Sequence, residues 1–235
     1  MIARRYTVRQ SGRLKRARIE FREDEGLVVA VPIGFDLALV PHLVESNIEL
    51  IRRAAREQNR LRLRERRLGE CLPHRIALTA IDEEWHVEYL AGGGSGVVLC
   101  EHRFGLAVHG ETRSSMCCAK ALEKWLKKKS HKHLVPRLNQ IAEHSGFGLN
   151  KVFVRSQKSR WASCSALGNI SLNVRLLFVK PELVDHVLLH ELCHTVHLDH
   201  SQQFWALVRR HDSAYKQKAC ELKQAWKRLP EWLKV

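Results

Sequence analysis

Val187-Leu188-Leu189-His190-Glu191-Leu192-Cys193-His194-Thr195-Val196-His197-Leu198-Asp199-His200 sets an H-E-x-x-H motif in an apolar run and adds a histidine six residues further on. Four residues of α-helix advance by roughly 400°, so His190 and His194 leave one face about one turn apart and can share one ion. Glu191 lies on the same side, too close to be a third ligand and placed to act on a water that the metal holds. Its expected role is general base. The flanks, Val187 to Leu189 and then Leu192, Cys193, Thr195 and Val196, are uncharged, as a buried metal helix requires, and an ion-free buried His-Glu-His cluster would be costly.

A zinc ion that activates water needs a third protein ligand and one open position. His200 is the expected ligand. On an unbroken helix it would stand roughly 9 Å along the axis from His194, too far for ligands that must lie about 2 Å from one zinc. The helix is therefore expected to end between Val196 and Asp199 and fold back. A metzincin has the same His194-to-His200 spacing, but it places Gly where this chain has His197 and needs a Met turn, and Met1 and Met116 are the only methionines. A gluzincin would recruit a Glu from a later helix, where Glu221 is available; it ranks below His200. His197 reads as a helix-end histidine and Cys193 as inert packing.

The totals bound the rest. At 235 residues with 45% hydrophobic content the chain can build one large core or two modest ones. Forty Lys and Arg against twenty-five Asp and Glu leave +15, which suits nucleic acid, nucleotides or anionic membrane as partners, and equally a merely basic solvated surface. Seven cysteines, an odd number with no C-x-x-C, read as free thiols of a reducing cytosol. No apolar h-region follows the basic start and no run approaches the ~18 apolar residues of a membrane span, so a cytoplasmic protein without membrane partners is expected. Oligomeric state cannot be read from the sequence.

Along the chain, Tyr6–Arg9, Arg16–Arg22 and Leu27–Val31 read as short strands, and Leu37–Leu68 as one long helix or two. Between Arg52 and Arg67 lie eight arginines and two glutamates, a face that could lie along phosphates but carries no aromatics for base stacking. Four strands follow (Arg75–Ile81, Trp85–Leu90, Gly96–Leu99 and Phe104–Val108), the middle pair joined by a glycine-rich hairpin loop from Ala91 to Gly96. Ser114–Ser145 reads as a long helix, kinked or split at Pro136, with a second basic face from Lys124 to Lys132. Val152–Ser156 and Asn169–Leu176 read as strands framing a polar loop. The second alternates buried and polar positions and is expected to offer its edge to an extended peptide. Pro181 opens the metal helix, with Glu182 and Asp185 suiting its dipole. Ser201 is the expected N-cap of a helix from Gln202 to about Arg210, braced by Phe204 and Trp205, and Ala214–Lys227 is the last helix.

Ser159-Arg160-Trp161-Ala162-Ser163-Cys164-Ser165, Gly168-Asn169-Ile170-Ser171-Leu172-Asn173, the H-E-x-x-H run and His200-Ser201-Gln202-Gln203-Phe204-Trp205 follow one another in an order that resembles the YgjP-like metallopeptidases, relatives of the SprT and WLM groups of zincins. The likeness is strongest from Val152 to Tyr215. It implies His190, His194 and His200 as metal ligands and Glu191 in the catalytic position. Ala162 departs from the Gly that the family usually shows between the Trp and the Ser. Arg160 is a candidate for contact with developing oxyanion charge or a substrate carboxylate, or for stacking on Trp161.

The expected fold class is α+β: a strand-rich N-terminal part (1–112), a candidate for substrate or nucleic-acid contact, and a zincin-like core (113–235). The expected function is zinc-dependent hydrolysis of peptide bonds in a protein or peptide substrate, with one Zn2+ ion and a Glu191-activated zinc-bound water. The first alternative is hydrolysis of a nucleoside triphosphate or other phosphate anhydride. The second is a nucleic-acid-associated protein, or a protease acting on DNA-bound protein.

Overall fold

The computed structural model describes residues 6–22, 25–93, 96–103 and 105–234. Two compact units follow one another, Met1–Arg64 and Glu65–Val235.

In the first unit β1 (Thr7–Ser11), β2 (Arg18–Arg22) and β3 (Gly26–Pro32) form a sheet of order β1-β3-β2. β3 takes the centre because Leu27 to Val31 is one continuous buried run, the pattern of a strand covered on both faces. A 3-10 turn at Leu37–Leu39 leads into α1 (Val40–Ser46) and then α2 (Ile48–Cys71). The expected long helix is thus two, interrupted at Asn47, whose side-chain amide donates to the Leu43 carbonyl at 2.8 Å. Val40, Val44 and Ile51 pack on Leu27, Val29 and Val31 to make this unit's core.

The second unit begins within α2 and continues with β4 (Arg75–Leu78), β5 (Glu83–Ala91), β6 (Val97–His102) and β7 (Gly105–Gly110), in the order β4-β5-β7-β6. The expected hairpin between β5 and β6 does not form. β7 lies between them, parallel to β5 and antiparallel to β6. Leu106, Ala107 and Val108 are all buried, whereas β6 is mostly exposed, so the apolar strand takes the interior and the half-polar one the edge. Phe104, expected to open β7, lies outside the described residues. The expected strand to Ile81 stops at Leu78 and continues as a 3-10 turn.

Next, α3 (Ser115–Ser145) runs unsplit through Pro136, capped by the Ser114 hydroxyl, which accepts from the Cys117 N–H, and by left-handed Gly146. Leu122, Trp125, Leu126, Leu134 and Leu138 form its buried stripe. β8 (Val152–Arg155), β9 (Ala162–Cys164) and β10 (Ile170–Asn173) make a sheet of order β8-β10-β9. β10 is flanked on both sides, so the expected free edge does not exist there; β8 and β9 are the edge strands instead. α4 (Pro181–Cys193), α5 (Gln202–His211) and α6 (Tyr215–Lys227) complete the unit. No helix among the described residues is long and apolar enough to cross a membrane.

Candidate metal centre

α4 starts on Pro181, where a missing N–H costs nothing, and buries Leu183, Val184, Val187, Leu188 and Leu192. It ends at Cys193, a turn before the expected Val196–Asp199. Three bonds tighten the chain at once: Thr195 Oγ1 to the Leu192 carbonyl at 2.7 Å, the His197 N–H to the Cys193 carbonyl at 3.0 Å, and His194 Nδ1 to the His197 carbonyl at 3.0 Å. The early stop turns the chain back, and Ser201 caps α5 by accepting from the Phe204 N–H.

This reversal brings His200 to the helix. One ligand nitrogen from each of His190, His194 and His200 lies within 4.8 Å of the others, and the Nε2 atoms of His190 and His200 are 3.4 Å apart. At Zn–N distances of about 2.0–2.1 Å, nitrogens of a tetrahedral site stand roughly 3.3 Å apart, so this pair already has the spacing of one tetrahedral edge. Phe204, fully buried, supports all three rings: stacked on His194 at 4.3 Å and edge-on to His190 and His200 at 5.0 Å each.

The electrostatics suit a cation. Burial first, then the neighbouring His194, His200 and His186, press the His190 pKa down to about 3. Burial also lowers His194, against the pull of the His197 carbonyl. Both rings are neutral near pH 7, the form that ligates metal. Glu191 is buried, and desolvation pushes its carboxyl up to about 7 against the lowering influence of Arg160 and the Cys164 backbone N–H.

A cleft of about 520 Å³ opens beside His190 and Glu191. Trp161, Trp205 and Trp226 wall it, and Arg160, Lys223 and Lys227 rim it. Trp161 packs edge-on against Trp226 at 4.7 Å, and the charge of Arg160 bears on Glu191. Glu221 is not brought to the histidines: it accepts from Gln217 Nε2 at 3.0 Å and lines a separate cavity with Arg228 and Trp232. Cys193 is buried against Leu189, Phe204 and Val208, an apolar packing position.

The YgjP-like metallopeptidase-domain model matches residues 15–225. The chain belongs to the YgjP-like metallopeptidase family. It is with that family a metal-dependent hydrolase. Among solved structures it is similar to the metallopeptidase zymogen abylysin of Pyrococcus abyssi, with 25% identity and a TM-score of 0.36 over 39% of this chain and 92% of that one. It is likewise similar to the zymogen jannalysin of Methanocaldococcus jannaschii, with 19% identity and a TM-score of 0.35 over 39% and 94%. No curated protein matches the chain.

Sequence reading missed one polar group of the cleft. His186, one turn before His190, lines the cleft with its Nδ1 2.7 Å from Asp212 Oδ2. The H-x-x-x-H spacing from His186 to His190 was the available signal; Asp212, 26 residues away, had none.

Proposed function

We propose that the chain is a zinc-dependent peptidase in which His190, His194 and His200 hold one zinc ion and Glu191 moves the proton. The convergence of three imidazoles beside one buried carboxylate carries this reading. Zinc held there would supply Lewis acidity for a carbonyl oxygen and acidify a water. Glu191, with a carboxyl raised to about 7, can accept a proton from that water and return it to the departing amine. Arg160 sits at the rim next to Glu191, where its guanidinium can meet developing oxyanion charge or a substrate carboxylate. β9, the edge strand next to the cleft, takes over the peptide-pairing role expected of β10. The N-terminal 1–112 part then serves substrate or nucleic-acid contact.

One observation favours a second reading. Three cations and three tryptophans around the cleft would also suit the phosphates and base of a nucleoside triphosphate. The test is shared: zinc-loaded protein is offered unfolded casein and, separately, nucleoside triphosphates, with Glu191→Gln as control. The peptidase reading expects casein fragments from wild type and at least a ~10²-fold loss in Glu191→Gln with zinc retained. Release of phosphate or pyrophosphate with no casein cleavage would replace it by the second.

A further inference from the structure

His186 lies in the wall of the cleft with its ring almost wholly enclosed, 5% exposed. Its Nδ1 faces Asp212 Oδ2 at 2.7 Å, and Asp212 is itself 8% exposed. That carboxylate is held from two further directions, by Lys218 Nζ at 3.0 Å and the Ala214 backbone N–H at 3.2 Å, both on Oδ1. Those bonds keep Asp212 ionised and immobile, so Nδ1 of His186 must carry the proton. The other nitrogen, Nε2, has no partner among the described residues, and it is not among the atoms sealed from solvent. It therefore opens toward the cleft. It is no fourth metal ligand: the His186 and His190 ring centroids stand 6.3 Å apart, and His186 is outside the converging set.

The neutral ring with Nδ1–H bonded to a carboxylate presents a lone pair at Nε2. Burial, which lowers the His186 pKa, supports the neutral form. A fixed acceptor facing a substrate cleft favours a ligand that brings a donor to it, because a ligand that displaces water without one leaves the acceptor unpaired. The flanking groups Arg160, Lys223 and Lys227 are donors, and Glu191 is committed to the proton. A polypeptide supplies such a donor at every backbone N–H that is not a proline's; the phosphate chain of a nucleoside triphosphate supplies none, its donors being confined to the sugar and base.

We propose that His186 is a substrate-binding residue whose Nε2 accepts a backbone N–H of the bound peptide, with Asp212 and Lys218 as positioning residues that fix its tautomer. This rests on the peptidase reading above and names the substrate feature that the site reads.

The test uses the zinc-loaded full chain. Peptides spanning a cleavage site mapped in unfolded casein are N-methylated one backbone nitrogen at a time, excluding the scissile one, and kcat/KM is compared between wild type and His186→Phe. One methylation is expected to cost wild type about tenfold and to cost His186→Phe less than about twofold, with zinc content equal in both. Asp212→Asn, which keeps the ring but frees the tautomer, is expected to lose the same discrimination and serves where His186→Phe does not fold. An equal methylation penalty in wild type and both variants overturns the role of His186 while leaving the peptidase reading intact. If wild type cuts no site in casein, both fall.

Discussion

His194 Nδ1 lies 3.0 Å from the carbonyl oxygen of His197, and this bond forms inside the turn that ends α4. Because a carbonyl only accepts, Nδ1 bears the hydrogen and the Nε2 lone pair is left for a cation. One of the three bonds that close the helix terminus thus also fixes the tautomer of His194. The same turn sends the chain back toward His190 with His200.

Phe204 should be the residue on which that return loop depends. It is fully buried and touches His190, His194 and His200. Phe204→Ala is expected to cost about 3–5 kcal/mol of stability, as for other buried aromatics, and to weaken zinc binding through loosened ligands. Urea unfolding with and without zinc checks both. A change below about 1 kcal/mol would show that the loop is held elsewhere.

Lys129 is a buried cation, 6% exposed, whose Nζ lies 3.0 Å from Glu83 and 4.0 Å from the Trp85 ring centroid. Glu83 is lowered overall: desolvation raises it, but the Lys129 and Trp85 hydrogen bonds outweigh that. Lys129→Ala leaves the carboxylate without its cation and is expected to destabilise by about 2 kcal/mol, less than the 3–5 of a fully buried pair because Glu83 keeps the Trp85 hydrogen bond and contact with water. Urea unfolding monitored by circular dichroism measures it, and zinc content should not change.

Acid should destabilise the protein in two stages through His186 and Asp212. Both folded pKa values are lowered: His186 by burial, and Asp212 by the Lys218 and His186 hydrogen bonds, which exceed its own desolvation. A lowered folded pKa means that the unfolded chain binds the proton more readily, so stability is fully present above the unfolded pKa and drains as pH falls toward the folded one. The first loss is expected below about pH 6.5, from His186 together with the likewise lowered His190 and His194, and the second below about pH 4, from Asp212. Melting temperatures of the zinc-free protein from pH 8 to 3 test this. Asp212→Asn should remove the second stage, and a profile unchanged by that variant would refute the assignment.

Legibility in the sequence followed the range of each interaction. The apolar periodicity of 181–193 and the i, i+4 histidines are local, so the buried helix and the nearness of His190 to His194 could be read directly. The return of His200 toward that pair was expected because zinc distances forbid an unbroken helix, and the structure brings the three rings together. The position where α4 stops could not, since Thr195 and His197 act through individual hydrogen bonds that no propensity encodes. Strand order failed for the same reason. Whether β10 or β9 lies at the edge, and whether β7 inserts between β5 and β6, depends on partners many residues away. Likewise Ile51 and Leu68 share α2 yet belong to different cores, so the uniform arginine-rich helix hid the boundary between the two units.

Zinc stoichiometry tests the centre most directly. After loading and exhaustive dialysis, wild type and Glu191→Gln are expected to retain about one zinc per chain, and His190→Ala, His194→Ala and His200→Ala close to none at equal folded fraction. Retention of about one zinc by any of the three histidine variants would contradict the site as described.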